Sequence, residues 1–213
     1  MSKTHVFVDF DKTLFDPRAY ERWLDEQLHK MGLSSKTHAS FTESINDYHD
    51  VFSETPLMRF YHHAEHIQGV SEKPWDLMSG EIEKLIHQQH KDFCYPDAHE
   101  LLRWLGKQGY DVRILSFGDG EFQRFKLMIC PYLSQNRLPI HVIKQFKKDF
   151  LKDNFTETQG VLIDDRYPLD LPKGWTHIWL DRSKPIKTPK LDEKDIIRIS
   201  SLTQAPEAIK KGS

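Results

Sequence analysis

His5-Val6-Phe7-Val8-Asp9-Phe10-Asp11-Lys12-Thr13-Leu14, residues 5–14, is the stretch from which the rest of the chain is read. Its first half is a short apolar run rich in β-branched and aromatic residues, the composition of a buried strand. The run ends in acids. Asp9 and Asp11 stand two residues apart, so they project to the same side if the extended conformation continues through them. Two later apolar runs end in a related way. YDVRILS (110–116) closes on Ser116, with Gly118 shortly after, and Val161-Leu162-Ile163 leads straight into Asp164-Asp165. Ligands of open parallel sheets bind beyond the carboxyl ends of the strands, which makes these three ends one candidate location. Carboxylates gathered there repel one another unless a positive charge sits among them. A hard divalent cation is the simplest remedy, and magnesium suits a site of a few carboxylates plus a substrate phosphate.

Working outward, the pattern changes at Pro17. Apolar residues recur at helical spacing up to about His90, as in Tyr20, Trp23, Leu24 and Leu28, then Leu57, Phe60 and Tyr61, then Ile82, Leu85 and Ile86. Pro56 and Pro74 stand where helices can start, and Gly32 and Gly69 where they can stop. The spacing predicts about four helices and no strand over 17–90. From Pro96 the grammar alternates. Pro96–Gln108 reads as an amphipathic helix closed by Gly109, 110–116 as a strand, Phe122–Met128 as a helix and Leu138–Ile143 as a strand. Lys148–Phe155 reads as a helix, 161–163 as a buried strand and His177–Leu180 as a last strand. A charged, Pro-containing tail follows Asp181, with a short helix near Pro206–Lys210. Alternating units of this kind predict an α/β fold, a three-layer parallel sheet with helices on both faces. The expected division is a core of 1–16 and 91–213 with an inserted α-helical cap at 17–90.

Composition narrows the partners. Lys and Arg total 30 and Asp and Glu 32 in 213 residues, a formal charge of −2 that gives no reason to expect a nucleic-acid polymer. No apolar run approaches the length that spans a bilayer, and the acid within the N-terminal apolar stretch argues against a signal peptide. The two cysteines, Cys94 and Cys130, have no metal-like spacing and read as small core residues, so a reducing cytoplasm is the expected compartment.

Asp9-Phe10-Asp11-Lys12-Thr13-Leu14 resembles the DxDxT motif of the haloacid dehalogenase superfamily. Ser116 after VRIL resembles its second motif. Asp164-Asp165, with Asp170 five residues on, resembles the acidic fourth motif. The stretch YPDAHELLRWLGKQGYDVRILSFGD looks like the superfamily's approach to its second motif, and the helical middle falls where a cap is inserted. The resemblance implies a Rossmann-like core and roles for these residues. Asp9 is then the nucleophile that becomes an aspartyl-phosphate, and Asp11 the general acid and base. Thr13 and Ser116 hold the phosphoryl group together with a lysine. Asp9, the Asp11 carbonyl, Asp164 and Asp165 hold magnesium, and Asp170 supports the metal site. Lys144, Lys147 and Lys148 all lie where the superfamily places its lysine, and KKDFL favours Lys147. Dehalogenating members lack an acid at the place of Asp11, so the implied branch is phosphatase, acting on a small phosphorylated metabolite or nucleotide. Arg18, Tyr20, Arg59 and His62 are candidate cap contacts.

Other readings compete with this one. A phosphomutase shares the same chemistry, and a non-catalytic module can keep the acidic site for metal or phosphate binding. His62-His63-Ala64-Glu65-His66 matches the H-x-x-E-H spacing of one zinc-peptidase class. Twelve histidines make such a match easy by chance, and no downstream ligand stands out. Any single acid after a strand is more often a turn residue or helix cap. It is the joint order of the motifs that carries weight.

Overall fold

A run of four residues with a strand on either side organises the molecule. The computed structural model describes residues 4–30, 84–89, 91–118, 120–155, 159–167, 169–193 and 196–212. His5–Val8 (β1) pairs in parallel with Asp111–Phe117 (β2), Val8 opposite Ile114, and with Gly160–Asp164 (β4), Val8 opposite Ile163. Ile140–Ile143 (β3) extends the sheet beyond β2. On the other flank Trp175–Leu180 (β5) follows β4 in parallel, then Ile196–Ile199 (β7), with Lys190–Glu193 (β6) antiparallel at the edge. The strand order is β3-β2-β1-β4-β5-β7-β6. The chain steps outward from β1 to β3 and then returns to the opposite side of β1. That reversal leaves a crevice beyond the carboxyl ends of β1 and β4.

Period-two alternation divides the core into two faces. Val6, Val8, Ile114, Val161 and Ile163 share one cluster with residues from Pro96–Gln108 (α2), Gly120–Met128 (α3) and Ala205–Gly212 (α6). Phe7, Leu115, Leu162 and Trp175 share the other with Leu151 of Lys147–Asn154 (α5). Covering both faces is what a parallel sheet requires, because its strands have no polar side to show to water. The expected α/β, three-layer sheet with additional helices is therefore the observed architecture.

The first of those additional helices is Pro17–Lys30 (α1). Asp16 caps its start, its Oδ1 accepting the Ala19 N–H at 3.0 Å. Tyr20 and Trp23 are buried in the core against Phe93, with ring centroids 5.3 and 5.6 Å away. The Trp23 indole donates to Gln89 at 3.0 Å, which ties α1 to the helical residues 84–88. Tyr20 is thus a core residue, a correction to its candidacy as a cap contact: aromatic packing takes the side chain inward. Arg18 is exposed. Arg59, His62, the rest of the histidine cluster and the helical spacing at 57–61 lie outside the described residues. Among the described residues, no helix is long and apolar enough to cross a membrane.

Elsewhere the differences are local. β5 is not the last strand, since β6 and β7 continue the sheet. Four-residue strands inside the charged stretch KLDEKDIIRIS lack the length that makes alternation visible, and Leu191 of β6 faces solvent on the edge. A short helix at Pro131–Asn136 (α4) opens on its proline, and β3 begins at Ile140 rather than Leu138. The terminal helix is present, preceded by a 3₁₀ turn at Leu202–Gln204.

Gly160 opens β4 for a steric reason. A Cβ there would meet the Trp175 ring at 2.7 Å and the His5 carbonyl oxygen at 2.9 Å, so the strand admits only hydrogen. Gly160→Ala is expected to destabilise the protein by about 1–3 kcal/mol. Gly106→Ala, in α2 with nothing within 4 Å of the new carbon, is expected to stabilise it by about 0.5–1 kcal/mol. Urea unfolding of the two variants checks both signs.

Candidate active site

Asp9 is the first residue after β1, and its N–H still follows the sheet by donating to the Ile163 carbonyl at 2.9 Å. The residue is 6% exposed. Asp164, at the end of the neighbouring β4, is fully buried, with Asp165 next to it half-buried. Carboxylate oxygens of Asp9, Asp164 and Asp165 all lie within 4.8 Å of one another. Lys147, the first residue of α5, is buried among them and its ammonium donates to both Asp9 and Asp164. The sequence left three lysines open. Lys147 is the one that reaches the carboxylates, whereas Lys144 is exposed and Lys148 pairs with the exposed Asp170. Asp170 therefore sits with Lys148, outside the carboxylate group.

The electrostatics follow from burial. Desolvation, reinforced by Asp164 and Asp165 and opposed by Lys147, pushes the Asp9 carboxyl up to about 7. Burial, with Asp164 beside it, also raises Asp165. Burial alone would lower Lys147, but Asp9 and Asp164 outweigh it and hold the ammonium above the usual lysine value. One internal cation does not balance three carboxylates. An ion with oxygen ligands at about 2.1 Å brings its donors to roughly 3–4 Å from one another, and the three oxygens present lie within 4.8 Å. The donor set is all hard oxygen, so Asp9, Asp164 and Asp165 fit a divalent cation such as magnesium. A second group, Asp92, Cys94 and Cys130, also has ligand atoms within 4.8 Å. There the two thiols are buried and free, and the neighbouring Cys130 together with burial pushes Cys94 far upward, which keeps it protonated.

Asp11 departs from the sequence expectation. The extended conformation ends at Asp9: the Leu14 and Phe15 N–H groups both return to the Phe10 carbonyl, at 2.9 and 2.8 Å, and Lys12 takes a left-handed φ of 61°. This turn separates the two carboxylates. Asp11 receives Lys126 of α3 at 2.5 and 2.7 Å and Gln123 at 2.9 Å, while Asp9 receives Lys147. Thr13 is buried, and its hydroxyl has no hydrogen-bond partner among the described residues. Ser116, near the end of β2, is buried as well.

Three functional candidates escaped the sequence reading. Lys126 and Gln123 share one face of α3 at a spacing of three, but neither has a motif around it. Arg182 lies in the charged tail. Its guanidinium donates to the Lys12 and Thr13 carbonyls at 3.3 and 3.0 Å and to both oxygens of Asp97 at 2.9 and 3.0 Å, over the Tyr95 ring. Asp97 also accepts Ser201 Oγ and the Leu202 N–H. The Asp9–Thr13 loop is thereby fastened to α2 and to the C-terminal turn.

No protein-family model matches the sequence, and no curated protein matches it either. Solved structures do. A structure described as a haloacid dehalogenase-like hydrolase from Burkholderia xenovorans matches with a TM-score of 0.67 at 18% identity, over 99% of each chain. The HAD-hydrolase YfnB of Bacillus subtilis, solved with magnesium, matches with a TM-score of 0.60 at 16% identity, over 99% of this chain and 100% of its own. The fold is that of the haloacid dehalogenase-like hydrolases. A 2-haloacid dehalogenase from Pseudomonas syringae also matches, with a TM-score of 0.52 at 20% identity over 100% of each chain, so the fold is common to different chemistries.

Beneath the site, on β5, His177 is 2% exposed and neither ring nitrogen has a hydrogen-bond partner among the described residues. Burial, against the pull of Asp164 and with the push of Lys147, lowers its pKa to about 4. The unfolded chain, near 6.5, binds a proton through that window that the folded chain refuses. Stability is therefore lost as pH falls from 6.5 toward 4, by about 2 kcal/mol between pH 7 and 5. Urea midpoints of wild type and His177→Leu at those two pH values should show a weaker acid loss in the variant.

Proposed function

We propose that this chain is a magnesium-dependent phosphatase of the haloacid dehalogenase superfamily, hydrolysing a small phosphomonoester through an aspartyl-phosphate on Asp9. The observation that carries the reading is the separation of Asp9 and Asp11 onto different cations, Lys147 and Lys126. Two carboxylates two residues apart but in different surroundings suit two different tasks. Asp9, beside Lys147 and the other acids, is the nucleophile. Asp11, paired with Lys126 and about one-third exposed, is the proton carrier.

In the first step an Asp9 oxygen bonds to phosphorus while the bond from phosphorus to the leaving oxygen breaks. Protonated Asp11 supplies the proton that the leaving alcohol takes. In the second step water attacks phosphorus and gives a proton to Asp11, and the bond to Asp9 breaks to release inorganic phosphate. Both carboxyl groups end as they began. Lys147 sits where it can also meet a phosphoryl oxygen, and Thr13 and Ser116 complete the cradle. Magnesium, held by Asp9, Asp164, Asp165 and the Asp11 carbonyl, would neutralise charge on the transferring group. The carboxyl at Asp11 favours phosphate chemistry over dehalogenation, which the superfamily resemblance associates with its absence. The substrate class is a phosphorylated metabolite or nucleotide, received under a cap formed from 17–90.

Phosphate release from an aryl phosphate and a panel of phosphorylated metabolites, with magnesium or with EDTA, tests this. Wild type should turn over only with the metal, and Asp9→Asn should lose about 10³-fold or more. Asp164→Asn should need much higher magnesium for its residual rate. Turnover that persists in Asp9→Asn would remove the nucleophile and the proposal with it.

A further inference from the structure

Lys126 is a cation that the phosphatase mechanism does not require and that the fold has nonetheless enclosed. It is 5% exposed, yet its ammonium bonds both oxygens of Asp11, at 2.5 and 2.7 Å. Its surroundings fix it there. The Phe10 and Phe15 rings, stacked on each other at 5.2 Å, each stand 5.6 Å from the ammonium, so the side chain is walled by the same loop that carries Asp11. Gln123, one turn earlier and 4% exposed, adds its amide N–H to Asp11 Oδ2 at 2.9 Å and to the Phe117 carbonyl at 3.4 Å. The chain makes room for that amide at Gly118, where a Cβ would meet Gln123 Nε2 at 2.7 Å and where φ is 150°.

Asp11 needs such a hold. It sits on a tight turn, two residues from Asp9, and a divalent cation at the Asp9–Asp164–Asp165 group would draw any free carboxylate toward itself. A carboxylate captured there has no proton to give. We infer that Lys126, seconded by Gln123, is the positioning residue that keeps the Asp11 carboxyl out of the metal group and on the leaving-group side, with one oxygen held by the ammonium while the other carries the proton. The inference rests on the phosphatase reading above, and it names the residues that make Asp11 usable.

Its signature is kinetic. General acid catalysis matters most when the leaving group is poor, and Asp11 is needed again to activate water. Lys126→Met keeps the length and can still pack on the two rings. With an alkyl phosphate it should lower kcat by about 10²-fold at little change in KM. With an aryl phosphate of good leaving group it should convert steady turnover into a burst, one equivalent of phenol per enzyme followed by slow release. Gln123→Leu, which leaves the lysine in place, should show a weaker form of the same pattern. Placed on an Asp11→Asn background, Lys126→Met should cost nothing further, since it acts only through Asp11. Absence of the phenol burst with the aryl phosphate, or a loss additive with Asp11→Asn, would overturn the positioning role. Failure of the phosphatase reading looks different: wild type itself then shows no magnesium-dependent release from any substrate.

Discussion

The carboxylate group answers to one electrostatic problem, three acids from adjacent strand ends of which two are shut away from water. β1 and β4 must be neighbours for the sheet to reverse, and the reversal brings Asp9 and Asp164 together at its crevice. Lys147 enters from α5 as the one cation the described chain supplies to both acids. Removing that lysine would leave charges buried without a partner, which costs far more than the pair itself contributes. Burial, with the neighbouring acids, raises Asp9 and Asp165 despite that lysine. The three carboxylates form a group capable of holding a divalent cation, and the winding of the sheet is what gathers them.

The second constraint is the turn at 10–15. A strand continuing past Asp9 would aim both acids into one cluster. Instead the backbone folds on the Phe10 carbonyl and hands Asp11 to another helix. The same turn buries Phe10 and Phe15 and leaves the Lys12 and Thr13 carbonyls for Arg182. Loop shape, core packing and the separate surroundings of the two acids are thus one piece of geometry.

Much of this was legible in the sequence because long apolar runs and punctuating acids report locally. β1, β2 and β4 and the places of Asp9, Ser116 and Asp164-Asp165 at or near their ends could be read from composition alone. Lys147 was favoured from KKDFL, and its contact with Asp9 and Asp164 is what distinguishes it from Lys144 and Lys148 in the structure. What escaped was non-local. Lys126 and Arg182 are, in sequence, ordinary charged residues of a helix face and a polar tail. Only tertiary structure brings them 115 and 169 positions back to Asp11 and Thr13. β6 and β7 escaped for a different reason, because four residues among charges carry too little periodicity to stand out.

The central position of β1 also has a consequence for how the chain comes off the ribosome. Its two sheet partners begin at Asp111 and Gly160, so once this apolar strand is made more than a hundred residues must be translated before either edge is covered. At about 5–20 residues per second that wait lasts roughly 5–20 s. During it, HVFV is an unpaired, aggregation-prone segment with Lys3 before it and Asp9 and Asp11 after it as gatekeepers. Asp9 and Asp11, which end on separate lysines in the finished protein, are for those seconds charges that discourage this strand from pairing with another chain.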